Sequence, residues 1–365
     1  MLRASRTDSR FSGLGLERVS PGVLEPIGDI TPIPNVTKDV AFEQRDPEIR
    51  LFMGNNALTA FPPALLNLEY LTVLSLRGNQ LSTLPPSLLR LKNLQTLNIA
   101  QNKLRHLPGE WLNCLDKGSK LRYFHVHPNP FWRPQPFVPD FAAAAQYQEL
   151  TLGVDAVRDD GQVVSTVGTK LYARTPVQFM DITASAHTSF ELPPTSCNDP
   201  KRTTLPIEPF HELETPMALD RELRYRAATS KIVNPQGPKS LLELALKKCA
   251  EKQNADETLA IMRQSSDVWP PHLLRLLEQA VEIRENGGLR CSVCGRETII
   301  PLAQWVEFRE IGQMIMIADG EGDGEMLFAG DRDSEGPVPF LMIGCSWKCI
   351  PKKVEKKRLV EEEVI

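Results

Sequence analysis

Between Glu48 and Phe131 the apolar positions return at one fixed spacing. One unit reads Leu71, Leu74, Leu76, Asn79, Leu81, Leu84, Pro85, Leu88 and Leu91. The unit before it carries Leu51, Met53, Asn56, Leu58, Phe61, Pro62, Leu65 and Leu68. The unit after it carries Leu94, Leu97, Ile99, Asn102, Leu104, Leu107, Pro108 and Trp111, and a fourth keeps Leu121, Phe124, Val126, Asn129 and Phe131. Asn56, Asn79 and Asn102 fall 23 residues apart, whereas Asn129 comes four residues late, which places an insertion near Asp116–Lys120. Leu74 and Leu76 are two apart, so on a strand they point together into a core, while Ser75 and Arg77 point outward. An asparagine at the bend after each strand can bond backbone groups that no sheet partner satisfies. One unit cannot bury its leucines alone, so the pattern predicts stacked units.

This skeleton resembles the leucine-rich repeat family, in its short intracellular class with a Leu-Pro-x-x-Leu-x-x-Leu second half. The resemblance covers under a third of the chain. It implies an α/β solenoid of about four repeats over residues 41–140, with capping segments on both sides. It also implies that the outward strand positions line a concave surface that meets a protein partner. Those positions are Arg50, Phe52, Ser75, Arg77, Asn98, Gln101, Tyr123, His125 and His127. Phe52 and Tyr123 stand beside arginines, the residue types enriched in binding hot spots. Ser87 and Gln95 are expected on the convex side, facing solvent.

Outside the repeats the periodicity lapses. Residues 1–40 are rich in Ser, Arg, Pro and Gly and predict a disordered tail, with residues 41–50 as the N-terminal cap. The run Trp132-Arg133-Pro134-Gln135-Pro136-Phe137 predicts a C-terminal cap, because prolines cannot extend a strand ladder while the aromatics can cover an open core. Residues 141–236 are proline-rich and aperiodic, with Lys170–Ala173 and Val177–Met180 as short apolar pieces able to dock locally, which predicts a low-order linker and a domain boundary. Residues 237–351 predict a separate small α+β domain. Ser240 is placed to cap a helix over 241–252, a second helix covers 256–263, and a third opens at Pro270-Pro271 and ends at Gly287-Gly288. Thr298–Pro301, Trp305–Phe308, Met314–Ile317 and Pro339–Ile343 predict strands, with the acidic Asp319–Asp333 as a solvated loop. Residues 352–365 form a charged tail.

The formal net charge of −4 gives no reason to expect nucleic acid or an anionic membrane as partner. No apolar run approaches the roughly 20 residues of a membrane span. The first twenty residues hold Arg3, Arg6, Arg10 and Arg18 without an apolar core, which predicts no secretory signal. A mitochondrial presequence is the weaker alternative, opposed by Asp8 and Glu17. A reducing compartment follows, cytoplasmic or nuclear, so the seven cysteines are expected as thiols or metal ligands.

Four of them come as two close pairs, Cys291/Cys294 and Cys345/Cys349. Four soft thiolates gathered by a small sheet suit structural zinc, with no coordination position left for water or substrate. The pairs and Gly295 resemble zinc-ribbon and related treble-knuckle modules, with three residues inside the second pair where the ribbon has two. Independent core thiols and a redox pair at Cys291 and Cys294 are the alternatives. His125 and His127 alternate onto one strand face without a third ligand. Asp319–Gly324 resembles the start of an EF-hand loop, but the twelfth position is Gly330. With no nucleophile elbow and no phosphate-cradling loop, the sequence predicts a non-catalytic adaptor or scaffold. A second reading comes from Ser240–Ala245 with Pro270–Leu274, which faintly resemble the helices by which ubiquitin-ligase substrate receptors grip their adaptor; Ala245 stands where that pattern has cysteine. A cysteine redox enzyme is a third.

Overall fold

The computed structural model describes residues 6–28, 47–115, 120–135, 165–181, 185–186, 188–193, 204–207, 240–251, 255–265, 268–317, 325–330 and 336–351. The repeats form a parallel sheet from β2 (Glu48–Phe52), β3 (Leu71–Ser75), β4 (Thr96–Asn98) and β6 (Tyr123–His125), in that order. The register aligns Leu51 with Leu74, Leu97 and Phe124, so the inward positions stack into one column. Leu51, Leu74, Leu76 and Leu97 are fully buried. Each strand is followed by a bend and a returning stretch. Extended Pro62 and Pro85 lead into 3-10 turns at Pro63–Asn67 and Pro86–Arg90, because proline supplies the fixed φ and its missing N–H is not needed there.

The asparagines tie each unit to the next. Asn79 donates to Leu76 O at 2.8 Å in its own unit and to Met53 O at 3.0 Å in the preceding one, and it accepts from Leu58 N at 3.2 Å. Asn102 repeats the pattern with Ile99 O, Leu76 O and Leu81 N. All four repeat asparagines are buried, and their amides satisfy the backbone at bends where the sheet ladder ends.

Residues 6–28 revise the expected disordered tail. β1 (Arg6–Arg10) pairs in parallel with β2 and adds a fifth strand to the sheet. After it, α1 (Pro21–Gly28) buries Leu24 in the repeat core, with Phe11, Leu16, Val19 and Ile27 packed alongside. Asn56 closes the ladder on this segment, accepting from Leu14 N at 3.0 Å and Leu16 N at 3.1 Å and donating to Phe11 O at 2.7 Å. Five serine- and arginine-containing residues can form a strand here because β2 offers an edge and its asparagine a bonding site. Thus the described cap comes from residues 6–28, while 41–46 lie outside the described residues.

The expected linker and boundary are revised as well. β8 (Ser165–Arg174) lies antiparallel on β11 (Ala303–Ile317), and β9 (Gln178–Phe179) pairs with the same strand. β12 (Glu325–Gly330) and β13 (Val338–Gly344) also flank β11, antiparallel. Finally β13 pairs in parallel with β5 (Leu107–Pro108) of the third repeat. One sheet therefore spans the repeats, the 141–236 region and the C-terminal region. Ala303, Trp305, Val338 and Phe340 join the leucine core of the repeats, while Val306 and Phe308 face a second cluster with Trp132, Ala173 and Leu205. Residues 303–308 of β11 are thus buried on both sides, one of them in the leucine core of the repeats.

Smaller expectations change with it. Trp305–Phe308 and Met314–Ile317 are parts of one strand, β12 lies inside the expected acidic loop, and Thr298–Pro301 is not a strand. The proline-bearing β7 (Arg133–Gln135) pairs with β10 (Thr204–Pro206), and Trp132 packs into the second cluster. The three helices are α3 (Leu241–Cys249), α4 (Ala255–Gln264) and α5 (Pro271–Glu285). Ser240 Oγ accepts from Glu243 N at 3.1 Å, as its capping position predicted. Between α2 (Glu110–Leu115) and the next repeat the chain leaves the described residues at 116–119, where the insertion was expected.

Candidate functional site

The two cysteine pairs converge. All four Sγ atoms lie within 4.8 Å of one another, with Cys294 to Cys345 at 3.5 Å and Cys345 to Cys349 at 3.9 Å. Four sulfurs bonded tetrahedrally at about 2.3 Å to one metal would stand about 3.8 Å apart, so the set fits a single small cation. Among the described residues it is the one group of three or more His, Cys, Asp or Glu with that geometry.

Each pair is shaped by its own turn. In the first, Cys291 N donates to Arg296 O at 2.8 Å and Gly295 N to Cys291 O at 2.9 Å, with Gly295 at φ 72, a conformation that favours glycine. In the second, a 3-10 turn at Trp347–Cys349 brings Cys349 back beneath Cys345, which accounts for the three-residue spacer. Ser346 Oγ donates to Cys349 Sγ at 3.4 Å. Ser292 joins the pairs, its N–H donating to Ile343 O at 2.8 Å and its Oγ accepting from Ile343 N at 3.0 Å.

Crowding separates the thiols electrostatically. A hydrogen bond from Cys345 stabilises the Cys291 thiolate and, against burial, lowers its pKa to about 5. Burial pushes Cys294 up to about 11, and Cys345 is pushed up as the donor to Cys291. Four thiolates gathered this closely need a cation among them.

The cluster sits against the repeats. Gly109 N donates to Leu341 O at 2.8 Å, and Arg290 N donates to the Glu110 carboxylate. A Cβ on Gly109 would stand 2.6 Å from Leu341 O and from Met342 Sδ. Ser87, expected to face solvent, is buried, and its Oγ donates to Asn286 O at 2.8 Å beyond α5. Gln95 is exposed as expected.

The outward face of the parallel sheet forms the second candidate. Phe52, Ser75, Asn98 and His125 share one row across the strands, and β1 extends that row with Arg10. A second row holds Asp8, Arg50, Val73, Thr96 and Tyr123, the last 59% exposed. The Arg10 and Arg50 guanidinium carbons lie 5.9 and 5.5 Å from the centre of the Phe52 ring. Arg50 also faces Asp8 at 3.8 Å. Arg77 is exposed and donates to Gln101 Oε1 at 3.1 Å, with Gln101 in the bend beyond β4 at φ 57. His125 faces outward, but His127 stands edge-on to Phe131 at 5.6 Å, so the two do not converge on a metal. Asp8 and Arg10 were missed because their segment has no apolar alternation; the pairing with β2 places them.

Two buried polar groups also escaped the sequence. Glu307 accepts from Arg309 Nη2 at 2.7 Å and from Trp305 Nε1 at 3.3 Å, and although burial opposes it, Arg309 and Arg174 hold its pKa below the usual value. His106 is buried with its ring 4.9 Å from that of Trp132, and desolvation lowers its pKa to about 4. Cys249 is a half-buried thiol beside the helical core; Cys114 and Cys197 lie outside what is described of side chains.

A family profile described as Leucine rich repeat matches residues 69–131. That stretch is a leucine-rich repeat, in general a protein–protein interaction motif. Comparison with curated proteins gives no match. Among the described residues no helix is long and apolar enough to cross a membrane.

Proposed function

We propose that the protein is a non-catalytic adaptor, a short leucine-rich repeat solenoid whose outward strand face binds a protein partner and whose C-terminal sheet is held by structural zinc. The observation that carries the zinc is the convergence of four Sγ atoms from two separate turns within 4.8 Å. Cys291, Cys294, Cys345 and Cys349 would fill all four positions of a tetrahedral ion, which leaves it no place for substrate. The metal supplies the charge that makes four thiolates compatible; the turns at Gly295 and Trp347–Cys349 preorganise them. The partner face rests on Phe52, Arg77 and Tyr123, an aromatic and guanidinium set suited to anchoring. The compartment in this reading is cytoplasmic or nuclear.

Purified protein is expected to contain about one zinc per chain, lost in Cys291→Ser and Cys349→Ser. A metal-free chain with unchanged protease resistance in residues 290–350 would refute it. Phe52→Ala and Tyr123→Ala are expected to keep the fold and lose the partner; folded variants that keep every partner would remove the binding role of this face.

The ubiquitin-ligase receptor reading has one observation in its favour. Leu241 is 85% exposed and Leu244 47%, on the same side of α3, an apolar pair that a docked subunit would cover. If ligase adaptor subunits co-purify and Leu241→Glu removes them, this reading replaces a plain scaffold. Alkylation of Cys291 and Cys294 without release of metal would instead favour the redox reading.

A further inference from the structure

The outward face of the parallel sheet has a charge asymmetry along its strands. Its carboxylates, Glu48 and Asp8, lie towards the strand beginnings, and Asp8 is engaged by Arg50 at 3.8 Å. Beyond the strand ends the chain bends at residues 11–16, 53–58, 76–81, 99–104 and 126–131, and none of these bends contains Asp or Glu. Arg10 and Arg77 stand at that end. Their described contacts are neutral: Arg10 has the Phe52 ring at 5.9 Å, and Arg77 has Gln101 Oε1 at 3.1 Å. A guanidinium lying over a ring keeps its N–H edge available for a carboxylate, while the ring offers an apolar surface beside it. The same row continues through Ser75, Asn98 and His125, a polar track across the strands.

Resting on the partner-binding reading above, we propose that the strand-end row of this face takes an extended acidic segment of a protein partner, laid across the strands with an apolar side chain on Phe52. Five strands spaced about 4.8 Å apart span about 19 Å, the length of roughly six extended residues. Arg10 and Arg77 are two strands apart, so acidic residues about three positions apart can meet both. Nucleic acid is the poorer fit: Asp8 and Glu48 border the track, and the chain as a whole carries a net charge of −4.

The test uses full-length protein and fluorescein-labelled twelve-residue peptides that differ only in charge. Each carries one Phe, with Glu, Gln or Lys at every third position, and a single-stranded RNA of equal length is the fourth probe. By anisotropy the Glu peptide is expected to bind at least tenfold tighter than the Gln or Lys peptide, and to weaken steadily with added salt. The double variant Arg10→Glu with Arg77→Glu is expected to lose at least tenfold for the Glu peptide and to gain for the Lys peptide. Arg10→Lys with Arg77→Lys, with the same circular dichroism, is expected to retain most of the binding. Equal binding of the Glu and Gln peptides, an unaffected Glu double variant, or RNA binding tighter than the Glu peptide would each overturn the proposal. If Phe52→Ala abolishes capture of a natural partner while the charge reversals do not, the face is a binding site for a segment that is not acidic. If neither change matters, the partner-binding reading falls with it.

Discussion

Single residues in the repeats do one of two things: fill the column of leucines or terminate the backbone ladder. Leu76 is fully buried, and Leu76→Ala is expected to cost about 2–5 kcal/mol in urea unfolding. Asn102 donates to three carbonyls, Ile99 O, Leu76 O and Ala100 O. Replacing it by Ala leaves the buried Leu81 N–H without its acceptor and removes one of two donors at Leu76 O and Ile99 O, which keep Asn79 and Asn129, at an expected cost of about 1–3 kcal/mol. Arg77→Glu on the exposed face is expected within about 0.5 kcal/mol of wild type by the same measurement. His106 gives an acid signature. Desolvation lowers its folded pKa from 6.5 to about 4, so between those values the unfolded chain binds the extra proton. Its contribution is present above about pH 6.5 and is lost as the pH falls to about 4, on the order of 3 kcal/mol in all. His106→Phe is expected to flatten that part of the stability–pH curve relative to wild type.

At the scale of elements, the side of the repeats opposite the proposed partner face is a docking surface for the rest of the chain. The hydroxyl of Ser87 bonds Asn286 O at 2.8 Å, and a Cβ on Gly287 would lie 2.4 Å from that hydroxyl. Ser87→Glu would force a carboxylate into this contact and is expected to raise hydrogen exchange in α5 while β3 and β4 stay protected. Gly109→Ala acts similarly at the β5–β13 pair, because its new methyl meets Leu341 O at 2.6 Å. About 1–3 kcal/mol of destabilisation is expected there, and unchanged thermal unfolding would show that β13 gives way freely.

At the scale of the molecule, β11 is the centre. It receives β8 and β9 from the middle of the chain, β12 and β13 from the end, and through β13 it reaches β5 of the repeats. Co-expressed fragments 1–140 and 141–365 are therefore expected to co-purify at stoichiometric amounts. If they separate freely, the shared core contributes little to stability. The proposed zinc lies at the end of the same sheet, so chelation is expected to lower the unfolding temperature of full-length protein and to expose β13 and β5 together in hydrogen exchange.

The sequence by itself determined the periodic parts. A 23-residue spacing of leucines and asparagines dictates parallel strands, buried bends and one outward face, because each position sees the same neighbours in the next unit. Cys291, Cys294, Cys345 and Cys349 were legible as one set from their two close pairs, and the fold brings their Sγ atoms within 4.8 Å of one another. The three helices were legible from their caps and spacing. Tertiary structure decided the rest, and the reason is non-local pairing. The strand Ser165–Arg174 has little local signal and becomes a strand because β11 supplies its ladder partner more than a hundred residues away. Arg6–Arg10 becomes a strand because β2 has an open edge. Val306 and Phe308 on one side of β11, and Ala303 and Trp305 on the other, are buried by elements distant in the chain. What Arg6–Arg10 and residues 303–344 do could be read only once the sheets had brought them beside the repeats.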